Sequence, residues 1–198
     1  MNSENNFHSD TKYIRNEKVD YEIIYGNEKI VFIKAGANGS ARGYADKYIR
    51  MAKRIHKNIG ATVICASNPD APHENLDEEE IRRVIDEKGL HNIEISFVGV
   101  SDGAYHNISL AKRFPETEKM IGINTSYVNI SDLKEKLNEL PNVNKILIFG
   151  TEDDDFNNVV PDLSKIKCEN FEINLIEGAD HRFTGMVEEF IVLADYLN

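Results

Sequence analysis

The chain is poor in cysteine, in proline and in positive charge. Two cysteines among 198 residues cannot staple a disulfide scaffold, and no histidines or cysteines stand at zinc-ligand spacing. Cys65 and Cys168 fall in expected strands and read as reduced, buried thiols, which points to the cytoplasm. With five prolines and twelve glycines there is no linker, low-complexity tract or internal repeat. No apolar run approaches the roughly 20 residues that cross a bilayer. The first residues, Met1 to Asn6, lack the apolar core of a signal peptide. Lys and Arg number 23 against 34 Asp and Glu, giving a net charge of -11. Such a chain repels phosphate backbones and anionic lipid, so neither nucleic acid nor membrane is expected as a partner. Oligomeric state is not legible.

What is present is enough apolar sequence, 41%, for one substantial core. Residues 1–18 read as a polar tail, with at most a short edge strand near Tyr13, and 19–198 as a single domain. Tyr21 to Tyr25 and Lys29 to Lys34 are expected to form a strand pair, turned by Gly26-Asn27. From Ile30 onward, strands alternate with helices. Apolar strands are expected at 61–66, 93–100, 119–123, 145–149 and 171–176. Helices are expected from Tyr44, from Asp77 as a cap, over 103–113, from Ser131, and at the C-terminus through Met186, Phe190, Leu193 and Leu197. Inner strands that are apolar on successive residues imply a mostly parallel α/β sheet covered on both faces.

Ligands bind such sheets at the carboxyl ends of the strands. Gly99-Val100-Ser101-Asp102-Gly103 stands at one such end, a G-x-S-x-G turn from strand to helix, with Gly99 and Gly103 where a Cβ would crowd the bend. After the strand 145–149 comes Gly150-Thr151-Glu152-Asp153-Asp154-Asp155. After the strand 171–176 comes Gly178-Ala179-Asp180-His181. Serine, acid and histidine thus follow three different strands in that order.

With these motifs and the loop Ala35-Gly36-Ala37-Asn38-Gly39, the chain resembles the α/β-hydrolase family over nearly its whole length. The resemblance implies an α/β-hydrolase fold: a mostly parallel sheet with an N-terminal antiparallel strand pair and helices on both faces. It implies that Ser101 attacks an acyl carbonyl, that His181 carries the proton, and that Asp153 orients the imidazole. Asp155 is the reserve acid and Glu152 a third. The backbone N–H groups of Asp102 and Ala37 are the expected oxyanion donors, although the family often has His-Gly where this chain has Ala35-Gly36. The short connection from Ile123 to Lys145 leaves no room for a lid domain. The loops 68–75 and 125–130 are expected to form the pocket walls, and Asn38, His73 and Tyr127 are candidate pocket residues.

The function so implied is a serine hydrolase of the carboxylesterase kind, cleaving a small-molecule ester or related acyl compound through an acyl-enzyme. No cofactor and no metal are expected. The alternatives are a non-catalytic hydrolase-like module that binds a ligand, or an acyltransferase or peptidase of the same fold. A nucleotide-binding reading of the loop Gly36 to Gly43 fails both phosphate-loop patterns. His106, although near Ser101 in sequence, reads as structural. The acidic run 152–155 lacks EF-hand spacing, and Asp77 to Glu80 read as dipole-favoured carboxylates at a helix start.

Overall fold

Eight strands form one sheet in the order β1-β2-β4-β3-β5-β6-β7-β8. They are β1 (His8–Ile14), β2 (Glu17–Ile24), β3 (Asn27–Lys34), β4 (Ala61–Ala66), β5 (Glu94–Val100), β6 (Thr117–Ile123), β7 (Asn144–Gly150) and β8 (Phe171–Ile176). From β4 to β8 all neighbours are parallel. Strand β2 runs antiparallel to both β1 and β4. The computed structural model describes residues 7–14, 16–70, 73–126, 130–154, 156–163 and 165–198.

Among the described residues the α-helices are α1 (Lys47–Ile59), α2 (Glu74–Lys88), α3 (Asp102–Ala111), α4 (Ile130–Asn138), α5 (Phe156–Leu163) and α6 (Val187–Val192). Successive strand residues serve opposite faces. On β3, Phe32 joins the core under α2, α3 and α4, with Phe97, Ile81 and Ile108. Its neighbour Ile33 joins the core under α1 and α6, with Val63, Met51 and Phe190. Both faces are therefore covered, which is why the inner strands carry unbroken apolar runs. Edge strand β8 is only half-buried. None of the described helices is long and apolar enough to cross a membrane.

Three expectations about the N-terminal half are corrected. The antiparallel pair is β1 with β2, not β2 with β3, because β4 lies between those two strands. Neither Gly26 nor Asn27 has the positive φ that a tight hairpin turn needs. Instead they cross the start of β4: Gly26 N–H donates to Thr62 Oγ1 at 2.9 Å and Asn27 N–H to the Gly60 carbonyl at 2.8 Å. The expected tail contributes more than a short edge strand, since β1 pairs with β2 from His8↔Ile23 to Ile14↔Glu17. Asp77 does not cap a helix. It lies in the first turn of α2, fully buried, because a buried lysine, Lys34, and a partly buried histidine, His106, claim its carboxylate.

Smaller differences follow the same logic. Tyr44 is not on the buried face of α1. It sits in a short 3-10 turn ahead of it, 76% exposed. Cys65 is buried in β4, whereas Cys168 lies half-buried in the loop before β8, and both are free thiols.

Candidate active site

Strand β5 ends at Val100 and α3 begins at Asp102, so Ser101 alone makes the bend. Its φ of 52° and ψ of -122° are sparsely populated by residues with a side chain, and this strain is the kind held at functional turns. Close packing fixes it. A Cβ on Gly103 would meet the Ala35 carbonyl oxygen at 2.1 Å, and one on Gly99 would meet Ala104 Cα at 2.3 Å. Backbone cannot yield as a flexible side chain would. Replacing Gly103 with alanine is therefore expected to cost about 1–3 kcal/mol of stability, read as a lower urea midpoint.

Strands β7 and β8 deliver the other two groups. Asp153 follows β7 and is 5% exposed, with its N–H bonded to the Gly150 carbonyl at 3.2 Å. His181 lies in the loop between β8 and α6. Its Nδ1 is 2.8 Å from Asp153 Oδ2, and its Nε2 is 3.0 Å from Ser101 Oγ. The carboxylate can only accept, which assigns the proton to Nδ1 and leaves Nε2 to accept from the serine hydroxyl. Hydroxyl, imidazole and carboxylate thus form one continuous chain of hydrogen bonds, drawn from residues 80 and 28 positions apart.

Asn124, just past β6, holds this arrangement from below. It is buried. Its Nδ2 donates to the carbonyls of Asp180 and His181 at 3.2 and 3.1 Å, and its Oδ1 accepts the Gly150 N–H at 2.8 Å. One amide therefore ties the histidine loop to the turn that leads to Asp153. The Asp180 carboxylate accepts the N–H groups of Arg182 and Thr184 at 2.9 and 2.8 Å. The Thr184 bonds and that from Arg182 hold its carboxyl below the usual range. Removing the Asn124 side-chain amide, as in Asn124→Leu, is expected to slow the reaction of the Ser101 hydroxyl with an acylating probe about 10–100-fold, measured by labelling kinetics.

Ser101 and His181 open into a cleft of about 610 Å³, walled also by Ala37, Tyr44, Lys47 and Arg182. Ala37 is exposed on the loop after β3. Among the described residues, neither its N–H nor that of Asp102 donates to another group. Asn38 is exposed and donates its N–H to the Asn68 carbonyl, and it is not part of the cleft wall. His73 is also absent from that wall. It is 4% exposed, stacked on His106 with ring centroids 5.0 Å apart. Tyr127 and the reserve acid Asp155 lie outside the described residues. Glu152 is exposed, with its N–H bonded to the Ala179 carbonyl.

Beneath the loop after β3 is a buried charged cluster that the sequence pattern did not reveal. Lys34 Nζ donates to Asp77 Oδ2 and to the Ser67 carbonyl, each at 2.7 Å. The other Asp77 oxygen accepts from the Tyr21 hydroxyl at 2.9 Å, and His106 Nε2 is 2.9 Å from Oδ2. Burial pushes the Asp77 carboxyl up, but Lys34 and His106 together outweigh it and hold it below the usual range. His73, Asp77 and His106 could offer a metal ligand atoms within 4.8 Å of one another. The Lys34 ammonium already supplies a positive charge to that carboxylate.

Comparison with known proteins agrees with this architecture. No family model matches the chain, and no curated protein matches it. Solved structures do. An α-β serine hydrolase homologue from Coxiella burnetii superposes with a TM-score of 0.69 at 17% identity, over 96% of each chain. Est1E from Butyrivibrio proteoclasticus gives 0.69 at 10% identity, again over 96% of each chain. The esterase domain of a Rhodothermus marinus protein gives 0.66 at 11% identity, over 97% of this chain and 96% of that one. The strand order, the turn at Ser101 and these superpositions converge: the chain adopts the α/β-hydrolase fold.

Proposed function

We propose that the protein is a serine hydrolase that cleaves small carboxylic esters or related acyl compounds through an acyl-enzyme. The observation that carries this reading is the unbroken chain Ser101 Oγ–His181 Nε2–His181 Nδ1–Asp153 Oδ2, at 3.0 and 2.8 Å, opening into a cleft. The names of similar structures, an esterase domain and a serine hydrolase homologue among them, support the same class.

The chemistry follows from the geometry. Ser101 Oγ attacks the acyl carbonyl while His181 Nε2 takes its proton. The imidazolium so formed keeps its Nδ1–H on Asp153, whose charge stabilises it. Charge gathers on the carbonyl oxygen of the tetrahedral intermediate. The N–H groups of Ala37 and Asp102 receive it, each such donor being worth about 3–4 kcal/mol. His181 then protonates the leaving group. A water, activated by the same imidazole, attacks the acyl-enzyme and frees the acid and the serine. None of these steps uses a cofactor or metal. The free thiols Cys65 and Cys168 suit the reducing cytoplasm.

A fluorophosphonate probe tests the reading, because it reacts far faster with a serine activated in this way than with an ordinary hydroxyl. It is expected to add one label to the wild-type protein, at Ser101, and none to Ser101→Ala. Label on Ser101→Ala, or none on the wild type, overturns it. Labelling without turnover of any ester, thioester or amide would favour a ligand-binding module.

A further inference from the structure

Most described lysines and arginines of this acidic chain pair with carboxylates, yet two cations at the cleft do not. Lys47, the first residue of α1, is 7% exposed and forms part of the cleft wall with Ser101 and His181. Its Nζ donates to the Arg182 carbonyl at 3.2 Å and lies 4.3 Å from the centre of the Phe190 ring and 5.4 Å from that of Tyr48. Among the described residues no carboxylate lies within ion-pair distance of it. An ammonium has three N–H donors, and this one uses one. Arg182, also in the cleft wall, is exposed and has no ion pair among the described residues either.

The acids nearby are engaged elsewhere. Asp180 caps the N–H groups of Arg182 and Thr184. Asp102, next to Ser101, accepts from Asn68 Nδ2 at 3.0 Å and is not part of the wall. Burial pushes the Lys47 ammonium down to about 8, with Asp180 opposing and Arg182 reinforcing that shift. It remains mostly charged at neutral pH. A desolvated cation with no carboxylate in contact is costly unless a ligand supplies one.

We propose that the cleft takes an acyl compound that also bears a carboxylate, received by Lys47 and Arg182 while its reacting carbonyl lies at Ser101. This rests on the hydrolase reading above and deepens it by naming the substrate's charge. A net charge of -11 would otherwise repel such a substrate, so two unpaired cations in the wall give selectivity where the overall field opposes it.

The test compares 4-nitrophenyl hydrogen adipate with 4-nitrophenyl hexanoate, which share leaving group and chain length and differ in the terminal carboxylate. Wild-type kcat/KM is expected to favour the adipate, and Lys47→Met to lower the adipate-to-hexanoate ratio by about tenfold or more. Lys47→Arg, which keeps the charge, is expected to retain most of the preference. Exposed Arg182→Gln tests the same ratio independently of whether Lys47→Met folds. A lysine that merely pins the histidine loop would lower both rates alike, so a ratio unchanged by Lys47→Met and by Arg182→Gln overturns the proposal. A binding arm separates recognition from catalysis. Calorimetric titration of monomethyl adipate into Ser101→Ala and Ser101→Ala/Lys47→Met is expected to show at least about tenfold weaker binding in the second. If the wild type hydrolyses neither ester and takes no label, the hydrolase reading fails, while this titration still decides whether the cleft binds the anion.

Discussion

Replacing His181 with alanine is expected to lower kcat/KM on an activated ester about as far as replacing Ser101, by roughly 10⁴–10⁶-fold in either case. The reason is mutual dependence. A serine hydroxyl is a weak nucleophile at neutral pH and gains its reactivity by losing a proton to Nε2 as it attacks. Without the imidazole 3.0 Å away, no described group takes that proton. Removing both side chains should therefore cost little more than removing one. The measurement is steady-state kinetics on the two single variants and the double variant. A His181→Ala protein keeping a tenth of wild-type activity, or a double variant far below either single, would contradict a unit of this kind. Asp153→Asn should retain the imidazole but favour the wrong tautomer, with a loss of about 10⁴-fold in kcat.

Stability rather than turnover is the subject of the second large effect. Asp77→Leu is expected to destabilise the fold by about 3–5 kcal/mol, because it strands the Lys34 ammonium in a site with no exposure. Lys34→Met should cost a similar amount by stranding the carboxylate. The double variant Lys34→Met/Asp77→Leu should recover much of the loss, since replacing both partners with apolar groups removes two desolvated charges at once. Equilibrium urea unfolding of the four proteins measures this, and simple additivity of the two losses would refute it.

The same cluster sets a direction for acid sensitivity. The Asp77 carboxyl titrates lower in the folded protein than in the unfolded chain. Its contribution is fully present above the unfolded value and is lost as pH falls through the folded one. Unfolding free energy should therefore decline on acidification through that window, and decline less in Asp77→Leu. An acid limb unchanged by that substitution would mean that other carboxylates carry it.

Sequence order alone pointed to Ser101, Asp153 and His181, because each follows its own strand and parallel strands end on one edge. That inference needs only local pattern plus the rule for where sites lie in such sheets. Contacts distant in sequence were not legible. Lys34 and Asp77 are 43 residues apart, and Asp77 and His106 are 29 apart. A lone lysine closing an apolar strand was the one available signal of a buried partner. Lys47 gave less, since it stood inside the helix expected from Tyr44 with nothing to mark it, and only the fold lays it against Phe190 and Arg182. The misplaced hairpin at Gly26-Asn27 has a related cause. The dipeptide is typical of tight turns, but inserting β4 between β2 and β3 depends on pairings that no short segment encodes.

Asn124 bears on how the site withstands thermal motion. Because a single carboxamide grips the loop that carries His181 and the turn that leads to Asp153, displacement of one drags the other with it. The imidazole and the carboxylate then travel as one body, and breathing at the sheet's edge is felt mainly as a change in their common distance from the serine. Fluctuations of this molecule should consequently modulate nucleophile activation while leaving the histidine's orientation intact.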